Sequence, residues 1–268
     1  MYIIDSFKHP SFKDKKIRTL FNAFKLVIFS LLKIRVKYKV SHKDLSFFFN
    51  FIPLGKQSGS GGLFVYREDY EPLLKNCPQL IKEDSIVLDI GANQGIYSMA
   101  FANIVGKNGV VIAVEPFPEI IRLLSDNAKI NKFDNIIMYE NVVSDNLGHI
   151  DLNFGEGTVS ASITKTFKGK KRIRVQSVTI DEICKNYKRV DFIKLDIEGA
   201  ELKALLGGNK TLEKFKPILS IEVDESTYDS IDSCLKKYGY KSYIFDENNK
   251  LRIINNITKK YSNLIFKI

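Results

Sequence analysis

Strand-like and helix-like segments alternate along the chain from Ser85 onward, and this alternation constrains the fold more than any other feature. The first strand-like run, Ile86–Ile90, is mostly apolar and rich in β-branched residues, which suits a strand buried on both faces. Repeated strand–helix–strand units require right-handed crossovers and a mostly parallel sheet. The predicted fold is therefore α/β, with helices on both faces of the sheet.

The same pattern predicts the individual elements. Seven strands are expected, at residues 86–90, 110–115, 136–139, 192–196, 218–222, 240–245 and 251–254. Helices are expected at residues 95–105, 118–131, 180–187, 200–206 and 228–238. Residues 149–178 alternate in polarity, which predicts an inserted pair of strands joined by a basic loop, Ser160–Arg174. This loop either reaches over the site as a lid that contacts an anionic acceptor or is simply solvated.

The N-terminal part of the chain differs from the rest in charge and pattern. Of the formal net charge of +10, residues 1–60 carry +9, so the remainder is close to neutral. Apolar residues recur at helical spacing from Ile17 to Leu32, and a helix is predicted over Ile17–Val36. Residues 45–66 are predicted to form a hairpin, whose second strand is Leu63–Tyr66. We therefore divide the chain into an N-terminal helical and hairpin extension, residues 1–66, and a catalytic domain, residues 67–268.

The predicted N-terminal helix has two interpretations. A basic amphipathic helix can lie in the interface of an anionic membrane, or it can pack its apolar face on the domain or on another subunit. Its uncharged stretch Leu26–Leu32 is too short to span a bilayer, and no small-residue cleavage site of a signal peptide follows it. The three cysteines form no CxxC pair, which favours a reducing compartment. We expect a cytoplasmic protein, for which the membrane surface would be the inner face.

The turn after the first strand, DIGANQG, predicts a nucleoside site. Gly91 and Gly95 permit a tight strand-to-helix turn and a close approach of ligand to backbone. The middle glycine of the nicotinamide-binding GxGxxG pattern is missing, which favours a ligand without a diphosphate. Glu115 ends the next strand about twenty residues further on, where a carboxylate can accept hydrogen bonds from both ribose hydroxyls. Its alternative role is to cap the helix that begins at Pro118.

Carboxylates are concentrated at the ends of two later strands. Asp196, Glu198 and Glu201 follow one another closely, and Glu201 suits the first turn of a helix. Asp196 lies at its strand tip and Glu222 at the tip of the next strand, so they are neighbours if those strands are adjacent. Paired carboxylates can bind a substrate hydroxyl, take its proton or hold a divalent cation. Asp196, Glu222 and Glu198 are therefore the candidate catalytic residues, with Asp196 the first choice as general base.

The motifs VLDIGANQGIYS, AVEPFPE, NAKIN and DFIKLDIEGAELKALLGG resemble those of the FkbM-type family of S-adenosylmethionine-dependent methyltransferases. REDYEP upstream and SIEVDE and KKYGY downstream fit the same pattern, so the resemblance covers roughly residues 64–245. It implies a class I methyltransferase with a Rossmann-like fold, which often acts on hydroxyls of sugars or secondary metabolites.

The resemblance also assigns cofactor-binding roles by position. Asp89, Gly91, Asn93 and Gly95 would hold the methionine part of S-adenosylmethionine, Glu115 the ribose, and the turn Asn141–Val142 would lie against adenine. The family pattern names no catalytic base, so the roles of Asp196 and Glu222 come from the site chemistry alone.

The predicted activity is thus S-adenosylmethionine-dependent methylation of a hydroxyl on a sugar, a glycan or another small molecule, with metal dependence left open. One alternative is a nicotinamide-dependent oxidoreductase of the same fold, which the missing GxGxxG disfavours. Another is a non-catalytic cofactor-binding module that the basic N-terminus recruits to a membrane or partner. A nucleic-acid acceptor is disfavoured because the near-neutral catalytic body lacks a surplus of cations.

Overall fold

The computed structural model describes residues 15–51, 59–154, 161–162, 171–255 and 261–268. Its α-helices are α1 (Lys16–Leu31), α2 (Gly59–Tyr66), α3 (Pro72–Asn76), α4 (Ile96–Val105), α5 (Pro118–Asn131), α6 (Ile180–Cys184), α7 (Glu201–Leu206), α8 (Asn209–Phe215) and α9 (Tyr228–Lys236). Its strands are β1 (Val36–His42), β2 (Leu45–Phe51), β3 (Ile86–Ile90), β4 (Val110–Val114), β5 (Ile136–Tyr139), β6 (Val142–Val143), β7 (Gly148–Phe154), β8 (Ala161–Ser162), β9 (Lys171–Val178), β10 (Phe192–Leu195), β11 (Ile218–Val223), β12 (Lys241–Phe245), β13 (Leu251–Ile254) and β14 (Tyr261–Lys267).

The central sheet has eight strands in the order β13–β12–β14–β11–β10–β3–β4–β5. The five strands from β11 to β5 in this order pair in parallel, and the three others pair antiparallel. The predicted α/β fold with a mostly parallel sheet is confirmed. The predicted number of strands, seven, was one too few because β14 was not predicted. Its residues Leu264, Ile265 and Phe266 are buried, as expected for a strand inside the sheet.

The strand order reverses at β3, which places the ligand-binding edge. The chain runs from β3 outward through β4 to β5, and later returns to β10 on the other side of β3. Ligands in such sheets bind beyond the carboxyl ends of the strands at this reversal. β10 and β11 are parallel neighbours with Leu195 opposite Ile221, so the adjacency expected of Asp196 and Glu222 is confirmed.

Side chains alternate between two apolar layers, one on each face of the sheet. Val87, Val111 and Phe192 point to the layer that contains α4, α5 and the N-terminal elements. Leu88 and Ile193 point to the opposite layer, which contains α6, α7 and α9. Because both faces are covered, the strands are apolar on both sides, and the continuous apolar runs in the sequence follow from this arrangement.

The predicted insertion between β5 and α6 is a separate four-stranded sheet in the order β6–β9–β7–β8. β7 and β9 pair antiparallel, which confirms the inserted pair of strands. β9 begins at Lys171, so Arg172 and Arg174 of the predicted basic loop lie in a strand. Residues 163–170, the middle of that loop, fall outside the described residues, as do residues 155–160.

The prediction of a hairpin at residues 45–66 is wrong. The hairpin is β1–β2, and its turn contains Lys43 in a left-handed conformation, with φ 47°. Leu63–Tyr66 instead ends helix α2. Glycine-rich sequence is a poor helix former, but Leu63 is buried, and Gly62 lies against the ring of Tyr70, where a Cβ would approach to 2.6 Å. Tertiary packing therefore overrides local propensity at this segment.

Helix α1 ends earlier than predicted from Ile17–Val36, and the face that it buries is not the predicted apolar face. Its buried residues are Thr19, Asn22, Ala23 and Leu26. The predicted apolar face points outward instead, with Ile17 87% and Leu31 78% exposed. The expectation that this face packs on the domain is therefore wrong: Ala23 and Leu26 join the apolar core instead, and Asn22 and Arg18 donate to backbone carbonyls of the domain. Among the described helices, none is long and apolar enough to cross a bilayer.

Candidate active site

A cavity opens at the carboxyl edge of the sheet, beside β3, β4 and β10. Its walls also include the start of β6 and the segment after α2. The lining residues used below are Tyr70, Glu71, Gly91, Asn93, Tyr97, Glu115, Asn141, Val142, Lys194, Asp196 and Glu198. Five of the seven residues assigned to the cofactor therefore line the cavity, whereas Asp89 and Gly95 do not. Of the three candidate catalytic residues, Asp196 and Glu198 line the cavity, and Glu222 is hydrogen-bonded to Asp196 from the neighbouring strand β11.

The turn after β3 is held tightly against the neighbouring strands. The amides of Gly91 and Ala92 both donate to the carbonyl oxygen of Val114, at 2.9 and 3.0 Å. Gly91 has a φ of +80°, and a Cβ on it would lie 1.9 Å from the carbonyl oxygen of Asp196. Gly91 thus allows the floor of the cavity to form directly against the end of β10.

Gly95 has a different role. Its φ of +85° is left-handed, and a Cβ there would lie 2.8 Å from Cγ of Leu124 on α5. The residue therefore permits close packing of the turn against α5, and its assignment to the methionine part stays a prediction.

Glu115 occupies the tip of β4 and is buried. Its carboxylate accepts hydrogen bonds from the amides of Asn93, at 3.0 Å, and Phe117, at 3.3 Å. Burial raises the pKa of Glu115 to about 7, against the lowering effect of those two amides. Phe117 is the N-cap residue of α5, so its contact with Glu115 agrees with the capping alternative, whereas the contact with Asn93 holds the glycine turn. A carboxylate has about four acceptor positions, so Glu115 retains capacity for a ribose diol.

Asp89 is fully buried on β3, below the turn. Its Oδ2 accepts a hydrogen bond from Oγ of Ser98 at 2.6 Å, and Oδ1 has no partner among the residues described. Burial raises the pKa of Asp89, and the positive charge of Lys194 partly offsets that rise. Asp89 therefore belongs to the electrostatic support of the site, and its assignment to the methionine part stays a prediction.

Lys194 is the functional residue that sequence reasoning missed on β10. Its side chain is only 2% exposed, and Nζ lies 2.7 Å from Oδ2 of Asp196 and 4.6 Å from the ring centroid of Tyr97. Burial alone would lower the pKa of Lys194, but the carboxylates of Asp196, Asp89 and Glu71 raise it above its usual value. The available signal was a lysine inside the apolar run FIKL, where a buried cation requires nearby carboxylates.

Glu71 and Tyr97 were also missed, although both line the cavity. The hydroxyl of Tyr97 donates to Oε2 of Glu71 at 2.5 Å, and Nδ2 of Asn263 donates to the same oxygen at 3.2 Å. These three side chains come from the N-terminus of α3, from α4 and from β14. Glu71 lies in the REDYEP motif, but no local pattern connects elements so far apart in the chain.

Asp196 and Glu222 form a hydrogen-bonded carboxyl pair. Burial would raise the pKa of Asp196, but the charge of Lys194 and the hydrogen bonds of Lys194 and Glu222 hold it below its usual range. Burial and the negative charge of Asp196 raise the pKa of Glu222 to about 8. At neutral pH the proton therefore resides on Glu222, which donates to the Asp196 carboxylate. The side chain of Asp196 remains 32% exposed, at the cavity wall.

The two other acids after β10 have separate positions. Glu198 lines the cavity and has a left-handed φ of +56°. Glu201 is buried, and its Oε1 accepts the amides of Ile197, at 2.9 Å, and Gly199, at 3.2 Å. Glu201 also lies in the first turn of α7, which confirms its helix-terminal interpretation. Within the described ranges, no group of three or more His, Cys, Asp or Glu side chains is placed to hold a metal ion.

Comparisons with known proteins match this region of the chain. Residues 89–242 match the model of the methyltransferase FkbM domain. The 2-O-methyltransferase NoeI of Sinorhizobium fredii is 27% identical over 170 residues, which are 56% of this chain and 68% of that protein.

Two solved structures are also similar at low identity. The methyltransferase FkbM from Methylobacillus flagellatus gives a TM-score of 0.48 at 17% identity, over 78% of this chain and 53% of that one. This chain therefore spans about half of the Methylobacillus protein. An S-adenosylmethionine-dependent O-methyltransferase from Thermotoga maritima gives a TM-score of 0.44 at 14% identity, over 82% and 72% of the two chains.

The family match includes the glycine turn, Glu115 and the Asp196–Glu222 pair, and it spans more than half of the chain. It does not favour the nicotinamide oxidoreductase or the non-catalytic module. The resemblance inferred from the motifs is confirmed: the chain belongs to the FkbM family of methyltransferases.

Proposed function

We propose that this methyltransferase transfers a methyl group from S-adenosylmethionine to a hydroxyl of a glycan or another small molecule, as a step of polysaccharide or secondary-metabolite biosynthesis. The observation that carries the proposal is the Asp196–Glu222 pair, which combines an ionised carboxylate on the cavity wall with a second, hydrogen-bonded carboxyl of raised pKa. The similarity to NoeI, a protein named as a 2-O-methyltransferase, supports a hydroxyl acceptor.

The residues of the cavity fit S-adenosylmethionine. Gly91 leaves open the space that a side chain would fill against Asp196, and Glu115 offers acceptor capacity for the ribose. We place Asn141 and Val142 against adenine because both line the same cavity. When bound, the cofactor supplies an electrophilic methyl group on a sulfonium.

The chain must then align the acceptor and remove its proton. A hydroxyl becomes a better nucleophile as it loses its proton to a base. Asp196 lines the cavity, so we place its carboxylate against the acceptor hydroxyl. While Glu222 is protonated, Asp196 is a weak base, because its pKa is held low. When Glu222 is ionised, the pair takes up one proton with an apparent pKa of about 8 and is the stronger base.

Lys194 stabilises the ionised pair, since its buried ammonium lies 2.7 Å from Oδ2 of Asp196. Glu198, at the cavity wall, is the third acid available to the acceptor. We propose that the pair handles a proton rather than a cation, because its two carboxyls are already joined by one hydrogen bond. Loss of activity with a chelator, and its recovery with Mg²⁺ or Mn²⁺, would assign the pair to a divalent cation instead.

The experiment that tests the proposed base is the substitution Asp196→Asn. Turnover should fall by about 10²–10⁴-fold, the usual range for loss of a general base, while cofactor affinity changes much less. Radiolabelled methyl transfer to a panel of saccharides measures turnover, and calorimetry measures affinity. Asp151→Asn, at an exposed position on β7, is the matched control. An Asp196→Asn protein with wild-type turnover would show that the base lies elsewhere.

We further propose that the reaction takes place in the cytoplasm. Cys77, Cys184 and Cys234 are free and buried, and none is paired. Unpaired buried thiols suit a reducing compartment. A disulfide found in the protein purified from its native source under non-reducing conditions would contradict this location.

A further inference from the structure

Helix α1 presents an apolar stripe to solvent although its opposite face is firmly attached to the domain. The stripe repeats at helical spacing and consists of Ile17, Leu20, Phe21, Phe24, Val27, Ile28 and Leu31. All of these except the half-buried Ile28 are exposed, and Phe21 and Phe24 are 56% and 60% exposed. Contiguous exposed apolar surface of this kind marks an interaction site on a soluble protein.

Cations border the outward stripe. At 100° per residue, Lys16 and Lys25 lie on its opposite edges, and Lys33 and Arg35 follow its C-terminal end. Lys25 extends over the ring of Phe21, with Nζ 4.2 Å from the ring centroid. These four side chains form no ion pair with an acid among the described residues. In residues 15–51, the only acidic residue is Asp44.

This combination points to a lipid surface rather than to a protein. Lysines at the edges of an apolar face keep their ammonium groups at the headgroups while the apolar face enters the acyl boundary. A second copy of the chain would bring the same cations against each other, because a two-fold contact matches identical patches. We propose that the outward stripe of α1 and its bordering cations dock the enzyme on an anionic membrane surface.

The docked helix is coupled to the cavity by a short, polar connection. Lys15 Nζ lies 2.8 Å from Glu68 and 2.6 Å from Asp69, and Arg18 pairs with the same two carboxylates at 2.8 and 3.2 Å. Tyr70, the next residue, lines the cavity. Docking through α1 therefore holds the catalytic cavity near the lipid surface.

Vesicle flotation of the full chain tests the proposal. The protein should float with phosphatidylcholine vesicles that contain phosphatidylglycerol, but much less with phosphatidylcholine alone, and raising the salt from about 0.1 M to about 0.5 M should release it. The double substitution Phe21→Glu/Phe24→Glu should weaken partitioning at least tenfold, or about 1.4 kcal/mol, since it removes two apolar anchors and adds negative charge. Both positions are exposed, so the fold should persist, as thermal unfolding and calorimetric cofactor binding verify.

The matched control is Leu147→Glu/Ile253→Glu, which places the same charges at two other exposed apolar positions, 62% and 54% exposed, on the insertion and on edge strand β13. This variant should float like the wild type. Three results would overturn the proposal: no flotation of the wild type, equal loss in both double variants, or flotation independent of anionic lipid. A concentration-dependent dimer that only Phe21→Glu/Phe24→Glu abolishes, without vesicle binding, would assign the face to a second copy instead.

Discussion

The buried ammonium of Lys194 interacts electrostatically with three acids. Asp89, Glu71 and Asp196 all contribute to the raised pKa of Lys194, yet only Asp196 has its own pKa lowered. The pKa values of Asp89 and Glu71 are raised mainly by burial, so these two acids hold their protons more tightly than usual. Of these three acids, Asp196 forms the ion pair with Lys194, and this contact keeps Asp196 ionised.

Glu115 should make cofactor affinity depend on pH. The two ribose hydroxyls donate charge-assisted hydrogen bonds to the ionised Glu115, and protonation of Glu115 removes the charge that strengthens them, so binding favours the ionised form. Because the pKa of Glu115 is about 7 in the free protein, affinity should be constant above that pH. Below it, affinity should fall by up to about tenfold per pH unit, as measured by calorimetry between pH 8 and 5.5.

Two variants isolate this effect. Glu115→Gln should bind weakly at every pH in that range, since it cannot ionise. Glu115→Ala should weaken binding at least tenfold, because each lost charge-assisted hydrogen bond is worth about 1.5–3 kcal/mol. Unchanged affinity in Glu115→Ala would remove the ribose assignment, and an unchanged pH profile in Glu115→Gln would assign the titration to another group.

The ionisation of Glu222 should determine how turnover depends on pH. The pair is the stronger base when Glu222 is ionised, so kcat should rise with pH through a midpoint of about 8 and level off above it. Glu222→Gln still donates a hydrogen bond to Asp196 but cannot ionise, so its kcat should be low and free of this midpoint. Methyl-transfer rates measured from pH 6 to 9.5 decide the question. A midpoint near 8 that persists in Glu222→Gln would contradict the role of the pair.

At the scale of elements, the turn between β3 and α4 depends on Gly91 for two separate reasons. Its left-handed backbone disfavours any side chain, and a Cβ would collide with the backbone of Asp196, directly after β10. Gly239 offers a matched control, because its φ is also positive, at +89°, but a Cβ there would meet nothing within 4 Å. Gly239→Ala should therefore lower the free energy of unfolding by only about 1–2 kcal/mol, the cost of the left-handed conformation.

Gly91→Ala should lower the free energy of unfolding by clearly more than Gly239→Ala and should also reduce cofactor affinity, because β3 and β10 must separate. Urea denaturation and calorimetry measure the two quantities. Equal destabilisation in the two variants would mean that the close approach of Gly91 to Asp196 is not required.

Elements whose signal is local were predictable from the sequence, and the candidate site was predictable only in part. The strands β3, β4, β10 and β11 follow from apolar runs, and their tips correctly located Glu115 and Asp196. The β1 strand also carries a local signal, since lysines alternate with its buried Tyr38 and Val40, but it was missed because the hairpin was placed at residues 45–66. Side chains that meet only in the tertiary structure, such as Glu71 with Asn263, leave no such signal in the sequence.

At the scale of the molecule, the N-terminal elements share the core of the catalytic domain. Phe47 and Phe49 of β2 belong to the same apolar cluster as Phe101 of α4. Backbone amides along the outer edge of β2 also find hydrogen-bond acceptors in asparagine side chains of α4 and α5. Amides of Ser46, Phe48 and Asn50 donate to Oδ1 of Asn103, Asn131 and Asn127, at 2.8, 2.6 and 3.0 Å. The boundary proposed between residues 66 and 67 therefore marks a change in the sequence pattern, and the hydrophobic core continues across it.

This shared core predicts one cooperative unfolding transition for the whole chain. Scanning calorimetry should give a single peak whose calorimetric and van't Hoff enthalpies agree. The replacement Phe49→Ala, fully buried on β2, should lower the midpoint of the whole transition, since it removes about 3–5 kcal/mol of packing. A separate early transition in Phe49→Ala would show that the N-terminal elements unfold as an independent unit.

The place of β14 in the sheet has a consequence for how the protein is made. This strand lies between β11 and β12, and its Asn263 completes the hydrogen bonds of Glu71. Until residues 261–267 have left the ribosome, the nascent chain exposes one unpaired edge on β11 and another on β12. Unpaired edges are templates for association with other strands. The pairing of these two edges, and the contact between Asn263 and Glu71 in the catalytic cavity, therefore both wait for the synthesis of residues 261–267.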